Sequence, residues 1–265
     1  MVASIVPRMK TLQVERAEGV VTITLDRPEK KNAVNGPMWD ELAAVAAEVA
    51  ASADDRCVVL TGAGGDFCSG ADLSAGGEGR PPHQLAAMRR INAVVQAFHD
   101  LPQPTIAKVD GVAAGVGLGL AVGCDLVVAS DRARFSAIFA KRGLSLDGAT
   151  SWLLPRLVGL HGAKELALFA DLVPADEALR MGLLNRVVPV EELDKVVAEW
   201  AARLAAGPPI ALAMTKRMLN RAFEQSFEQA LDDEARSQTV NFGTRDTVEA
   251  ISAFMERRPP TFDGR

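Results

Sequence analysis

Two glycine-rich stretches hold the residues whose types and spacing suit chemistry. "GAGGDFCSGADL" occupies residues 62–73, and "VDGVAAGVGLGLAVGCD" occupies 109–125, with Gly115, Gly117, Gly119 and Gly123 in an apolar run. Neither fits a familiar nucleotide signature. Gly65 and Gly70 have the gap of a phosphate-binding loop, but Ala71-Asp72 follows where Lys-Ser/Thr is required. Gly115, Gly117 and Gly119 spell G-x-G-x-G with Leu120 in the last small-residue slot, so the dinucleotide fingerprint fails. Ser69 follows Cys68 without the G-x-S-x-G of a nucleophile elbow. The uncharged run from 112 to 124 is shorter than the ~20 apolar residues of a membrane span.

Bare backbone has another use: it presents N–H groups to an anionic oxygen. A helix starting near Gly115 aims its free N–H groups and positive dipole end outward. On this reading the N–H groups of Ser69 and Val116 clasp one oxyanion, and Gly115 and Gly117 leave room for the ligand. The competing readings are a tight turn at 62–72 and close helix–sheet packing by small residues. The second applies above all to Gly119 and Gly123. His83, His99 and His161 are few and scattered; His99 near a helix end and His161 in a turn read as surface or capping residues. Asp147 precedes "GATSWLLPRL", where aspartate is a favoured helix cap.

These pieces need elements to position them. "KTLQVERAEGVVTITLDRP" reads as two alternating strands around Glu18-Gly19, closed by Pro28. A helical period follows from Gly36, then the strand "CVVLTG" (57–62), a helix over "HQLAAMRRINAVVQAFHDL", and strands in "QPTIAKVDG" and "CDLVVAS". This alternation predicts an α/β core. After about Pro174 the pattern is helix upon helix. The all-helical, apolar tail from about residue 200 packs on the core or on a sister subunit. The expected division is a core over 1–199 and a helical oligomerisation region over 200–265.

Composition narrows the class. The chain has 265 residues, 48% hydrophobic and 24% charged, with a net charge of −5, so no basic field draws it to nucleic acid or an anionic membrane. Cysteines 57, 68 and 124 have no metal-like spacing and leave an odd thiol, which fits a reducing cytosol and a cytoplasmic protein. The first residues lack a continuous apolar stretch with a cleavage site, so no secretory signal is expected.

"TLDRPEKKNAVN", "LTGAGGDFCSGADL" and "KVDGVAAGVGLGLAVGCDLVVASD" resemble the successive signatures of the crotonase (enoyl-CoA hydratase/isomerase) superfamily. "GLSLDGATSWLLPRLVG" and "AFMERRPPTF" resemble its later segments, in order, so that the likeness spans nearly the whole chain. The resemblance implies an α/β fold, a spiral of β-β-α units with a C-terminal helical trimerisation region, assembled as trimers or dimers of trimers. It implies acyl-CoA thioesters as ligands, with the thioester carbonyl between the N–H groups matching Ser69 and Val116. No metal is implied, and no cofactor beyond the coenzyme A of the substrate.

The resemblance also shows a departure. Hydratases of this family use two glutamates; their slots here hold Gly119 and Phe139, with Ala137 beside the second. Ordinary hydration needs a base near the β-carbon. One acid remains in reach, Asp147, at a position where similar family members that shift double bonds in ring-containing acyl-CoAs carry aspartate. A dehalogenase reading would also need a histidine at Asn92 and a tryptophan at Phe139. The resemblance places Arg27, Lys30, Lys31, Ala33, Ala71, Asp72, Leu73, Gly115 and Phe139 along the coenzyme A and the acyl thioester. It assigns Arg257, Arg258 and Phe262 to a tail reaching the adenine and phosphates, sometimes from a neighbouring subunit. The leading expectation is enoyl-CoA isomerisation with Asp147 as acid/base. The alternatives are a non-catalytic acyl-CoA-binding protein and a hydratase that takes its acids from elsewhere.

Overall fold

The structure, a computed structural model, describes residues 9–74 and 83–265. The reading of the first eight residues as free of a signal lies outside the described residues.

The predicted hairpin forms as β1 (Leu12–Ala17) and β2 (Val20–Leu25), antiparallel, with Ala17 opposite Val20. Glu18 (φ 51°) and Gly19 (φ 78°) are both left-handed, the two-residue turn whose twist matches that of the strands. From β2 onward the chain winds. Each turn adds one strand to a large sheet, then a short extended piece to a smaller sheet, then a helix.

The first turn is β2, the extended Val34, and α1 (Gly36–Ala51), whose Asn35 side chain accepts from the Met38 N–H as an N-cap. The second is β3 (Cys57–Gly62), the segment around Cys68–Ala71, and α2 (Gln84–His99). The third is β4 (Thr105–Val109), β5 (Val112–Ala114) and α3 (Val116–Val122). The fourth is β6 (Leu126–Ser130), β7 (Arg134–Ser136), a 3-10 turn at Ile138–Arg142, and α4 (Thr150–Phe169). Then come β8 (Val173–Pro174), α5 (Ala175–Met181), β9 (Arg186–Val188) and α6 (Leu193–Ala205).

The large sheet runs β1-β2-β3-β4-β6-β9 and is parallel beyond the hairpin; the small one runs β5-β7-β8. Bridges Val34–Ala71 and Cys68–Ala113 extend the small sheet towards the first turns. This is the spiral of β-β-α units that the resemblance implies.

The large sheet is buried on both faces, as parallel sheets require. Val58 and Leu60 of β3 point to the main core with Leu42 and Val45 of α1, while Cys57 and Val59 meet Val196 and Val197 of α6. The 199/200 boundary falls inside α6, where Ala201 is buried against the sheet. The helices beyond, α7 (Pro209–Arg221), α8 (Phe227–Phe242) and α9 (Arg245–Glu256), bury little. Phe223, Phe227, Phe242 and Phe254 are each more than two-thirds exposed. Strand β9 interrupts the expected succession of helices; its three residues are too few to show a period. Among the described residues, no helix is long and apolar enough to cross a membrane.

Candidate active site

The site is built at the seam where the second and third turns meet. Asn32, fully buried, accepts the Arg27 N–H with its side-chain oxygen and donates to the carbonyls of Ala63 and Asp66 (2.9 and 2.7 Å). Asp66 in turn accepts the Val112 N–H at 2.9 Å. This polar lattice fixes the glycine-rich loop between its neighbours.

The direction of each peptide then decides which N–H groups are free. The Ser69 N–H donates to the Lys31 carbonyl at 2.9 Å, and its hydroxyl donates to the Lys30 carbonyl at 3.2 Å. That corrects the expected donor, because Ser69 has no N–H left for a ligand. The Gly70 carbonyl accepts the Val34 N–H at 2.8 Å. In a trans peptide the N–H points opposite to the carbonyl, so the Ala71 N–H faces away from Val34, towards the start of α3. Among the described residues no acceptor pairs with it.

At α3 the same rule applies. The Gly115 carbonyl accepts the Gly119 N–H at 3.2 Å, so the Val116 N–H points out of the helix end, where first-turn N–H groups lack intrahelical partners. The two peptides lie side by side: a Cβ on Gly115 would sit 3.7 Å from Gly70 Cα. Gly70 (φ 111°) and Gly115 (φ 56°, ψ −128°) hold backbone that side-chain-bearing residues rarely adopt. Two free N–H groups on adjoining backbone are the arrangement an oxyanion cradle requires. The donors that geometry brings together are Ala71 and Val116.

The other glycines pack. A Cβ on Gly117 would lie 2.3 Å from the Cys68 carbonyl oxygen, and one on Gly119 would lie 2.3 Å from that of Gly148. Cys68 behind the cradle is fully buried, and burial pushes its thiol up to about 12, which leaves it unreactive.

Asp147 stands in the turn before α4. It is not the helix cap: the residue at that position is Ala149, in left-handed backbone (φ 64°), with no side-chain capping bond. The Asp147 main-chain carbonyl accepts from Thr150 N and Oγ1 (3.1 and 2.7 Å), whereas its buried carboxyl Oδ1 has no hydrogen-bond partner among the described residues. Desolvation pushes this carboxyl above the usual aspartate range. Asp147 lines a cavity of about 550 Å³ together with Met88, Asn92 and Gln96 of α2 and Trp152 of α4, and among the described residues it is the one acid there. Gly148, next in the chain, lies against the Val116 side chain. The Asp147 turn therefore adjoins the start of α3.

His99 differs from expectation. It closes α2 half-buried, lines the same cavity, and meets Trp152 edge-on at 5.6 Å. His161 lies within α4 and not in a turn, and the His83 side chain makes no capping bond. Phe139 is buried in the 3-10 turn, its ring edge 3.9 Å from where a Gly115 Cβ would be. The apolar stripe of α2 divides: Val94, Val95 and Phe98 are core, with Val95 also bordering the cavity that Met88 lines.

The expected coenzyme A contacts also divide. Arg27 is an internal clamp, donating to the Ala33 carbonyl at 2.6 Å and pairing with Asp72 at 2.8 Å. With Ser74 hydrogen-bonded first and Arg27 second, the Asp72 carboxyl is held at about 2. Lys31, 61% exposed, pairs with Asp66 at 3.3 Å, and Leu73 is exposed beside the cradle. Arg258 is tied to Glu249 and Glu256 on α9, at 2.5 and 2.7 Å. The Phe262 carbonyl accepts from Arg56, which precedes β3, whereas the cradle loop follows that strand's other end. Within one protomer the tail is thus away from the cradle.

The enoyl-CoA hydratase/isomerase family profile matches residues 15–265. The chain belongs to that family. Among enoyl-CoA hydratase/isomerase relatives, a Rhodobacter capsulatus protein named "Probable enoyl-CoA hydratase" is 39% identical over 255 residues, covering 96% of this chain and 98% of that one. The 1,2-epoxyphenylacetyl-CoA isomerase of Escherichia coli is 36% identical over 252 residues, covering 94% and 96%. The crystal structure of an enoyl-CoA hydratase from Bacillus anthracis superposes with a TM-score of 0.92 at 31% identity, covering 97% and 100%. The family thus includes both hydratases and an isomerase among this chain's relatives.

Proposed function

We propose that this member of the family isomerises the double bond of an enoyl-CoA thioester. The thioester oxygen sits between the N–H groups of Ala71 and Val116. The Asp147 carboxylate takes a proton from C2 of a 3-enoyl-CoA, and the electron pair moves onto the thioester oxygen as a dienolate. The carboxylic acid so formed returns the proton to C4, giving the 2-enoyl isomer and the starting carboxylate. No atom is gained or lost.

The observation that carries this reading is the Asp147 carboxyl: a buried oxygen with no hydrogen-bond partner among the described residues, on a residue that lines a cavity and whose turn packs against the start of α3. A carboxyl raised by burial holds a proton more readily than a solvated one, which suits a shuttle. The hydratase slots, Gly119 and Phe139, supply no acid. Lys31, Leu73, Ala33 and Asp72 frame the coenzyme A arm, with Arg27 as their brace.

The exposed phenylalanines of α7–α9 support assembly into a trimer or a dimer of trimers, since apolar patches of this extent mark interfaces. Arg258 and Phe262 would then serve a neighbouring copy's coenzyme A. Light scattering at micromolar concentration should give three or six chain masses; a single mass would refute assembly.

Incubation with a 3-enoyl-CoA and a 2-enoyl-CoA, followed by product masses, tests the chemistry. Isomer without mass change is expected from the 3-enoyl compound. A gain of one water points to hydration, and unchanged substrate with measurable affinity points to a binding protein.

A further inference from the structure

Gly119 lies one turn into α3, three residues after Val116 and on the same face. It is where α3 meets the backbone of the Asp147 turn. A Cβ there would lie 2.3 Å from Gly148 O, 3.1 Å from Gly148 C and 3.2 Å from Gly148 Cα. Ordinary van der Waals contact needs roughly 3.5–4 Å. From its other side Gly148 is bounded by Val116, since a Cβ on Gly148 would stand 3.0 Å from Val116 Cγ2. Gly148 (φ 58°) and Ala149 (φ 64°) are consecutive left-handed residues, and Thr150 ties the turn back to the Asp147 carbonyl. The turn is rigid, so it moves as a unit.

We propose that Gly119 is a positioning residue for Asp147. Its bare backbone lets the 147–149 turn seat against α3, and that seat sets where Asp147 stands relative to the helix start that bears the Val116 N–H. The inference rests on the reading of Asp147 as the proton shuttle. The cradle does not depend on this seat, because the Val116 N–H is set by Gly115 and the Ala71 N–H by the Val34 pairing. The seat therefore governs proton transfer and not thioester binding.

A methyl group at 119 must push the turn outward by about 1 Å to restore ordinary contact. A misplacement of that size costs on the order of 10²-fold in rate. Gly119→Ala should accordingly lower kcat for a 3-enoyl-CoA about 100-fold, with its affinity for butyryl-CoA, a saturated thioester, within about twofold of wild type. The acid limb of the pH–rate profile should move to lower pH as the carboxyl gains solvent; among the described residues the other titratable side chain lining this cavity is His99 of α2.

Asp147→Asn is measured beside it, as is the double variant. Support is a double variant no slower than Asp147→Asn alone, since residues acting through one another are non-additive. A Gly119→Ala protein at wild-type kcat, with Asp147→Asn impaired, overturns the inference and leaves the shuttle reading standing. Asp147→Asn at wild-type kcat overturns both. Should Gly119→Ala fail to fold, Thr150→Val loosens the same seat by removing the bond from Oγ1 to the Asp147 carbonyl while keeping the side-chain shape. Its kcat must fall with butyryl-CoA affinity kept, and a wild-type kcat there overturns the seat.

Discussion

The cradle and the Asp147 corner adjoin but are made by opposite means. The cradle is backbone, held by Asn32, Asp66 and the Val34–Ala71 bridge, with its flanking carbonyls satisfied. Its two N–H groups project from a lattice that would keep its shape without them. The Asp147 corner is one side chain, and its buried oxygen has no partner among the described residues. Burying an unpaired polar group costs folding free energy, so this corner is where the fold gives up stability. A binding element can be over-determined by the fold. A proton-transfer group must remain free to change its charge.

Breaking the cradle alone is expected to lower both rate and binding. In Gly115→Ala the nearest atom to the new methyl, Ile138 Cγ2, is 3.4 Å away, so there is nearly room for it. The damage comes from the backbone: φ 56° with ψ −128° is closed to alanine, and relaxation turns the Val116 N–H aside. Losing one oxyanion donor costs roughly 10²–10³ in kcat, and thioester affinity should fall with it. Steady-state kinetics and a calorimetric titration check both.

A smaller effect tests the lattice. Arg27→Met removes the donors to Ala33 and Asp72, and charge-assisted bonds of this kind are worth about 1.5–3 kcal/mol. Denaturant unfolding should show a loss of that order. With its Arg27 partner gone, Asp72 should titrate above about 2. Thioester affinity should weaken severalfold while kcat changes less.

The smallest effect sharpens the contrast in stability. Burial raises the folded Asp147 pKa, so the folded chain keeps a proton where the unfolded chain has lost it. Its favourable contribution is complete below the unfolded value, roughly 3.9, and is lost as pH rises through the raised value. Asp147→Asn should therefore melt at or slightly above the wild-type temperature at pH 7. That advantage should shrink towards pH 4.

Local patterns made the hairpin, β3, α1 and α2 readable, since Glu18-Gly19 and the apolar periods dictate them without help from distant residues. The cradle was half readable. Val116 follows from a helix start after Gly115, but the choice between Ser69 and Ala71 depends on which neighbour each peptide pairs with. Lys31 and Val34 decide that, and they come from an earlier turn of the spiral. Asp147 was visible as an acid before a helix. That the cap position would fall on Ala149, leaving the carboxyl unbonded, required the left-handed backbone of Gly148 and Ala149. The tail residues Arg258 and Phe262 could be recognised by type, but their seats on α9 and at Arg56 are set by packing between distant segments.

The most direct measurement is turnover of a 3-enoyl-CoA by Asp147→Asn beside its affinity for butyryl-CoA. Asparagine keeps the shape but cannot take up the proton. The account predicts a fall in kcat of roughly 10²–10⁴, the range of acid–base catalysis, with affinity within about twofold of wild type. Turnover at the wild-type rate would contradict it, and would leave the cradle as the catalytic feature of this site.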